Sequence, residues 1–202
     1  MPVRRSSVVR NFGSAIGELA ACLQSVGLGS RPDLTAWTGA AQSGAAPAPG
    51  GVVLGPDGWR CRSVDGRTVT IVKRASPRAL NPPSAEPGHV RPKAPPASAH
   101  VVLNLLGPRT HHVLVDAGVL DCQRAVRDLT PFLRGYVGDR PVCVLLQTLE
   151  NALVLVDATD VESIWRELVR CARPHAAATV GIDAVELYLV AERRRRGRLM
   201  AI

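Results

Sequence analysis

The chain is poor in aromatic residues and almost empty of lysine. Phe, Trp and Tyr together make up 3% of 202 residues. They do not cluster with the basic residues, so the sequence offers no platform on which nucleic-acid bases could stack. Lys73 and Lys93 are the only lysines, and nearly all of the 25 basic residues are arginine. Arginine in place of lysine, with abundant Ala and Gly, is the signature of a GC-rich genome, so the formal charge of +8 is partly a coding bias. The field is real nonetheless and favours anionic partners such as nucleic acid or acidic proteins. No run of about 18 apolar residues is present, and no membrane span is expected. The basic start Met1–Ser7 has no apolar region and cleavage site behind it, which argues against a secretory leader.

Catalytic and metal-binding motifs are missing as well. There is no Walker A, no G-x-G-x-x-G and no G-x-S-x-G, and nothing pairs a nucleophile with a base. No Cys-x-x-Cys or His-x-x-x-His spacing occurs, so a structural zinc site is not expected. Cys22, Cys61, Cys122, Cys143 and Cys171 are odd in number and far apart. They read as small buried hydrophobes in a reducing compartment. Asp116, Glu150, Asp157 and Asp160 could converge at strand ends to hold a metal. More simply, Asp116 and Asp157 end strands and Asp160 begins a helix. His111 and His112 are adjacent and would face opposite sides of a strand, with His89, His100 and His175 in loops. The expectation is a non-enzymatic chain with no cofactor, metal or small-molecule substrate.

Residues 140–172 carry the strongest structural signal. Val142–Thr148 and Ala152–Asp157 are apolar, β-branched runs around Leu149–Asn151, which predicts a buried hairpin. Thr159 and Glu162 are spaced as a capping box. Val161, Ile164, Trp165, Leu168, Val169 and Ala172 then fall on one helical face, with Glu162–Arg166 paired on the other and Pro174 closing the helix. Upstream, residues 8–26 predict an amphipathic helix, either docked on the fold or held for a partner, and 30–50 read as loop. Asp57-Gly58 and Asp65-Gly66 are turn signals, and they divide 51–74 into a small β-meander of Val52–Leu54, Trp59–Val64 and Thr68–Lys73. Residues 75–99 are a proline-rich, disordered linker.

From residue 100 the pattern predicts strands at Val101–Leu106 and Val113–Asp116. A helix follows from Asp121, broken at Thr130-Pro131 and resuming to about Val137, then the hairpin, the Trp165 helix and a last strand over Val180–Val190. The fold class is therefore α+β, a β-β-α-β-β-α-β domain over 100–192 in which two helices cover one face of a mainly antiparallel sheet. An N-terminal helix, the meander and the linker precede it, and a basic tail, 193–202, follows.

That tail holds Arg193, Arg194, Arg195, Arg196 and Arg198. It reads either as a nuclear-import or phosphate-contact patch or as a solvated basic end. Any nucleic-acid contact through it would be weak, sequence-blind and steeply salt-dependent. Ser7 and Ser76 sit in basic contexts and are phosphorylation candidates.

The order Arg109–Asp116, Arg124–Leu129, Arg140–Glu150 and Val185–Arg196 resembles the small nuclear phosphoprotein family of alphaherpesviruses, whose gene neighbours the uracil-DNA glycosylase gene. The likeness covers roughly residues 100–196 and includes no catalytic motif. It implies a phosphorylated protein of the host-cell nucleus that works through protein contacts, with no site residues to carry over. The alternative is a nucleic-acid-binding regulator using the arginine tail.

Overall fold

The computed structural model describes residues 10–38, 47–55, 58–63, 66–73, 99–119 and 131–199. Ser7, Ser76, the linker and the helix expected from Asp121 lie outside the described residues. In chain order the elements are α1 (Ala15–Gln24), β1 (Gly27–Ser30), β2 (Leu34–Thr38), β3 (Val52–Gly55), β4 (Gly58–Arg62), β5 (Thr68–Lys73) and β6 (Ala99–Leu106). They continue with α2 (Thr110–Asp116), β7 (Phe132–Val137), β8 (Arg140–Thr148), β9 (Asn151–Asp157), α3 (Val161–Ala172), β10 (Ala178–Thr179) and α4 (Ile182–Leu199). The class is α+β, as the sequence predicts.

One sheet runs through the molecule in the order β3-β4-β5-β2-β6-β9-β8-β7, with β1 paired to β6 and to β10. Every neighbour in this order is antiparallel, and β1–β10 is parallel. The two ends of the sheet approach each other: the Phe132 N–H at the start of β7 donates to the Gly50 carbonyl just before β3, at 3.4 Å. The sheet is thus curled almost into a barrel. The three meander strands form as predicted, and β2 joins them to β6 within the same sheet.

The central strands bury both faces, which is why they read as unbroken apolar runs. On β6, β8 and β9 the residues Leu103, Leu105, Val142, Val144, Leu146, Val154 and Val156 face outward, under α2 and α3. The intervening Val102, Leu145, Leu153 and Leu155 fill the barrel with Ala36, Cys61, Val69, Ile71 and Phe132. A third cluster, Cys22, Leu106, Val180, Ala184, Val185 and Tyr188, seats α1 and α4 on the edge of the sheet. A fully buried Leu or Ile in such a core contributes about 1.5–3 kcal/mol by desolvation.

Several predicted elements differ from those observed. Residues 110–116 are helix α2 and not a strand, because Thr110, Val113 and Leu114 turn inward together at helical spacing. Phe132–Val137 is strand β7, where the broken helix was expected to resume, and it pairs along its whole length with β8. Ile182–Leu199 is helix α4 and not a strand; it buries Ala184, Val185 and Tyr188, one helical face. Leu34–Thr38, expected as loop, is β2. The N-terminal helix is shorter than predicted, beginning after Ser14, whose hydroxyl accepts the Gly17 N–H at 3.1 Å. The capping box does not form: α3 is preceded by Asp160, which makes no side-chain cap, while Glu162 pairs with Arg166 as expected.

Candidate functional site

The four acidic candidates do not converge. Each has found its own basic partner in a different part of the molecule. Asp116 accepts from His175 Nε2 at 2.8 Å, Glu150 lies 3.6 Å from Arg195, Asp157 lies 3.6 Å from His100, and Asp160 accepts from Arg140 at 3.0 Å. Among the described residues no group of three or more His, Cys, Asp and Glu is arranged to hold a metal. No helix among them is long and apolar enough to cross a membrane.

Polar chemistry gathers instead where α1 and α4 meet the turn between β8 and β9. A cleft of about 410 Å³ opens there, lined by Leu23, Pro108, Glu150, Tyr188, Ala191, Glu192 and Arg195. Its wall is tied into the sheet by a chain of amides. Asn151 Nδ2 donates to Glu192 at 3.3 Å. Asn104 Nδ2 donates to Asn151 Oδ1 at 3.1 Å and to the Ala152 carbonyl at 2.8 Å. Arg31 reaches Asn104 Oδ1 at 3.4 Å and clasps Asp33 with two bonds of 2.7 and 2.8 Å. Arg31, Asn104 and Asn151 are buried, so each must find partners inside the protein. Burial, reinforced by Glu150 and Glu192, drives the Tyr188 hydroxyl well above its ordinary range, and it stays protonated. Sequence reasoning singled out Glu150 and Arg195 but missed Tyr188 and Glu192, because they were assigned to a strand and its end.

The same two helices are locked together by one buried carboxylate. Glu18 Oε1 accepts the Phe12 and Gly13 N–H groups at 2.7 and 2.6 Å, and its Oε2 accepts the Gly181 N–H at 2.7 Å. The segment before α1 is thereby fixed to the start of α4, where Asp183 also receives Arg10 and Asn11. With its polar contacts spent inward, this pair of helices turns apolar side chains to solvent. Phe12, Ile16 and Leu23 are exposed at 60%, 77% and 54%, and Ile16 and Leu23, seven residues apart, share one face of α1. Leu187 and Val190 do the same on α4.

A group of imidazoles lies beside α2. The His111 and His112 rings are 3.8 Å apart, and His112 and His175 are 5.7 Å apart. Burial first, then the neighbouring His112 and Arg109, hold the His111 imidazole below its ordinary range.

The basic run is not a tail. Arg193 to Arg196 and Arg198 belong to the last turns of α4. Arg193, Arg194 and Arg195 are exposed.

The fold defines a class: an α+β chain with a barrel-like antiparallel sheet flanked by helices. No family model matches the chain, and no curated protein matches it. Solved structures do. One is a chain of the heterotetrameric sarcosine oxidase from Corynebacterium sp. U-96, in complex with pyrrole 2-carboxylate: TM-score 0.56, 18% identity, 83% of this chain and 95% of that one. Another is the glycine cleavage system aminomethyltransferase T from Bartonella henselae: TM-score 0.53, 12% identity, 88% of this chain and 57% of that one. At these identities the likeness is one of fold. It corrects the expectation that the chain lies outside enzymology: the similar chains belong to enzymes.

Proposed function

We propose that this chain is a subunit of a heteromeric enzyme that acts on a small amino acid carrying a one-carbon substituent, with sarcosine oxidase as the model. The observation that carries the reading is the likeness of fold to a chain of the heterotetrameric sarcosine oxidase, which extends over 83% of this chain and 95% of that one at a TM-score of 0.56. The face of α1 and α4 supports it. Phe12, Ile16, Leu23, Leu187 and Val190 are the kind of exposed apolar group that a partner subunit covers. Arg193–Arg195 beside them favour an acidic rim on that partner.

The test is purification of the tagged full chain from its own cells at native expression. The captured material is then assayed for sarcosine-dependent oxygen uptake. A stoichiometric assembly with that activity supports the proposal, and Ile16→Ser with Leu23→Ser should release the partner while the far-ultraviolet circular dichroism is unchanged. Recovery of the chain alone, or of an assembly indifferent to sarcosine, would refute it.

A further inference from the structure

The inward register of the barrel changes character at one end. Along each strand, residues two apart face the same side. Following the core positions toward this end, Ala36 gives way to Thr38, Cys61 to Ser63, Val69 to Arg67, Val102 to His100, Leu155 to Asp157 and Phe132 to Arg134. The pairings Cys61↔Val69, His100↔Asp157, Leu155↔Cys143 and Arg134↔Cys143 place all of these at the same mouth, and they line one pocket of about 80 Å³. Six strands switching from apolar to polar at the same level is more than a fraying edge.

The mouth is internally ordered. His100 Nε2 lies 2.8 Å from Thr38 Oγ1. Its Nδ1 is buried without a hydrogen-bond partner, the Asp157 carboxylate standing 3.6 Å off. Ser63, 2% exposed, is held by the Arg67 carbonyl at 3.1 Å. Beneath the ring lie Cys143 and Leu155, so a ligand would meet an apolar floor and a cationic rim. The described lining carries two guanidinium groups, Arg67 and Arg134, together with the Asp157 carboxylate, itself 58% exposed. Arg67 and Arg134 each engage other groups of the protein, and a guanidinium carries five donors in a planar fork that can serve several acceptors at once. The volume equals roughly two to three water molecules, the room a carboxylate or phosphate head fills.

The geometry points to an oxyanion-binding site in this barrel mouth, with Arg67 and Arg134 holding a carboxylate or phosphate group and His100 seated at its side. The site does not depend on the chain being an enzyme subunit. The test uses the full chain with inorganic phosphate and sodium acetate as separate probes, each against sodium chloride of equal ionic strength. The readout is the His100 Cε1 proton resonance, assigned with His100→Gln. A saturable shift with phosphate, acetate or both, and none with chloride, is the expected result, and which probe saturates identifies the head group. Arg67→Gln and Arg134→Gln should each weaken binding about tenfold, the loss of one charge-assisted bond, while Arg170→Gln on α3 changes nothing. Arg134→Lys, which keeps the charge, serves if the glutamine variant does not fold. No saturable shift with either probe, or equal affinity in the parent and the Arg67 and Arg134 variants, would overturn the assignment.

Discussion

Replacing Glu18 by glutamine keeps the shape of the side chain and removes its charge. Three backbone N–H groups converge on this carboxylate, two on one oxygen and one on the other. An amide has a single oxygen. If that oxygen stays with Phe12 and Gly13, the NH₂ group faces the Gly181 N–H donor to donor. If the amide flips, two bonds are lost instead of one. A hydrogen bond to a charged group contributes about 1.5–3 kcal/mol. With one bond reversed and two weakened, Glu18→Gln should cost about 3 kcal/mol. Urea unfolding followed by circular dichroism reads this directly. With a slope of roughly 2 kcal/mol per molar, the midpoint should fall by about 1.5 M. Hydrogen exchange at Gly181 should accelerate more than exchange in the barrel strands, because the lesion is local to the junction of α1 and α4. A midpoint within about 0.2 M of the parent would mean that the three contacts are not a structural anchor.

Four further outcomes follow from the geometry. Leu153→Ala, at a fully buried barrel position, should lower stability by about 2–5 kcal/mol in the same urea assay. At Gly107, φ is +123° and a Cβ would lie 2.2 Å from the Cys22 carbonyl oxygen and 2.4 Å from that of Ser25, so Gly107→Ala should yield little soluble protein. Asp33 is pushed up by burial, but the paired Arg31 outweighs this and holds its carboxyl below the ordinary 3.8. The sign follows: the folded form binds this proton less readily, so the pair stabilises above pH about 4 and the gain disappears as pH falls through the folded value. Asp33→Asn should flatten that acid limb, and an unchanged limb would count against the pair. The thiols of Cys22 and Cys61 are raised to about 12, mainly by burial, and should react with an alkylating reagent at pH 8 only as fast as the protein unfolds; labelling of either cysteine ahead of unfolding, read by peptide mass mapping, would contradict it.

The sequence revealed elements whose two faces meet different surroundings in a regular way, and hid those whose period is mixed. The β8–β9 hairpin and α3 were legible because their apolar residues are continuous or strictly helical. In α4, Val185, Leu187 and Leu189 alternate like a strand, yet the buried face is Ala184, Val185 and Tyr188, and Leu187 is apolar but exposed. The many Ala, Glu, Leu and Arg residues there favour a helix, the signal that would have corrected the assignment. In α2 the β-branched Val113 and Val115 suggested a strand, and only the spacing of Thr110, Val113, Leu114 and Ala117 marks the helix. β2 was lost among glycines and prolines because it is held by partners distant in sequence, Thr68–Lys73 and Ala99–His100. The candidate sites were less legible still: Glu192 and Tyr188 needed the correct helix, and the barrel mouth needed the register of six strands.

The place of β2 between β5 and β6 has a consequence for how the polypeptide can be divided. A chain severed anywhere within 75–98 would still have its first piece stitched to the second along both borders, by β1 and β2 against β6 and β1 against β10 on one side, and by the Phe132 N–H to the Gly50 carbonyl on the other. Two separately made pieces, 1–74 and 99–202, should therefore find each other and fold as a pair, whereas the second piece by itself would present β6 as a bare, sticky margin.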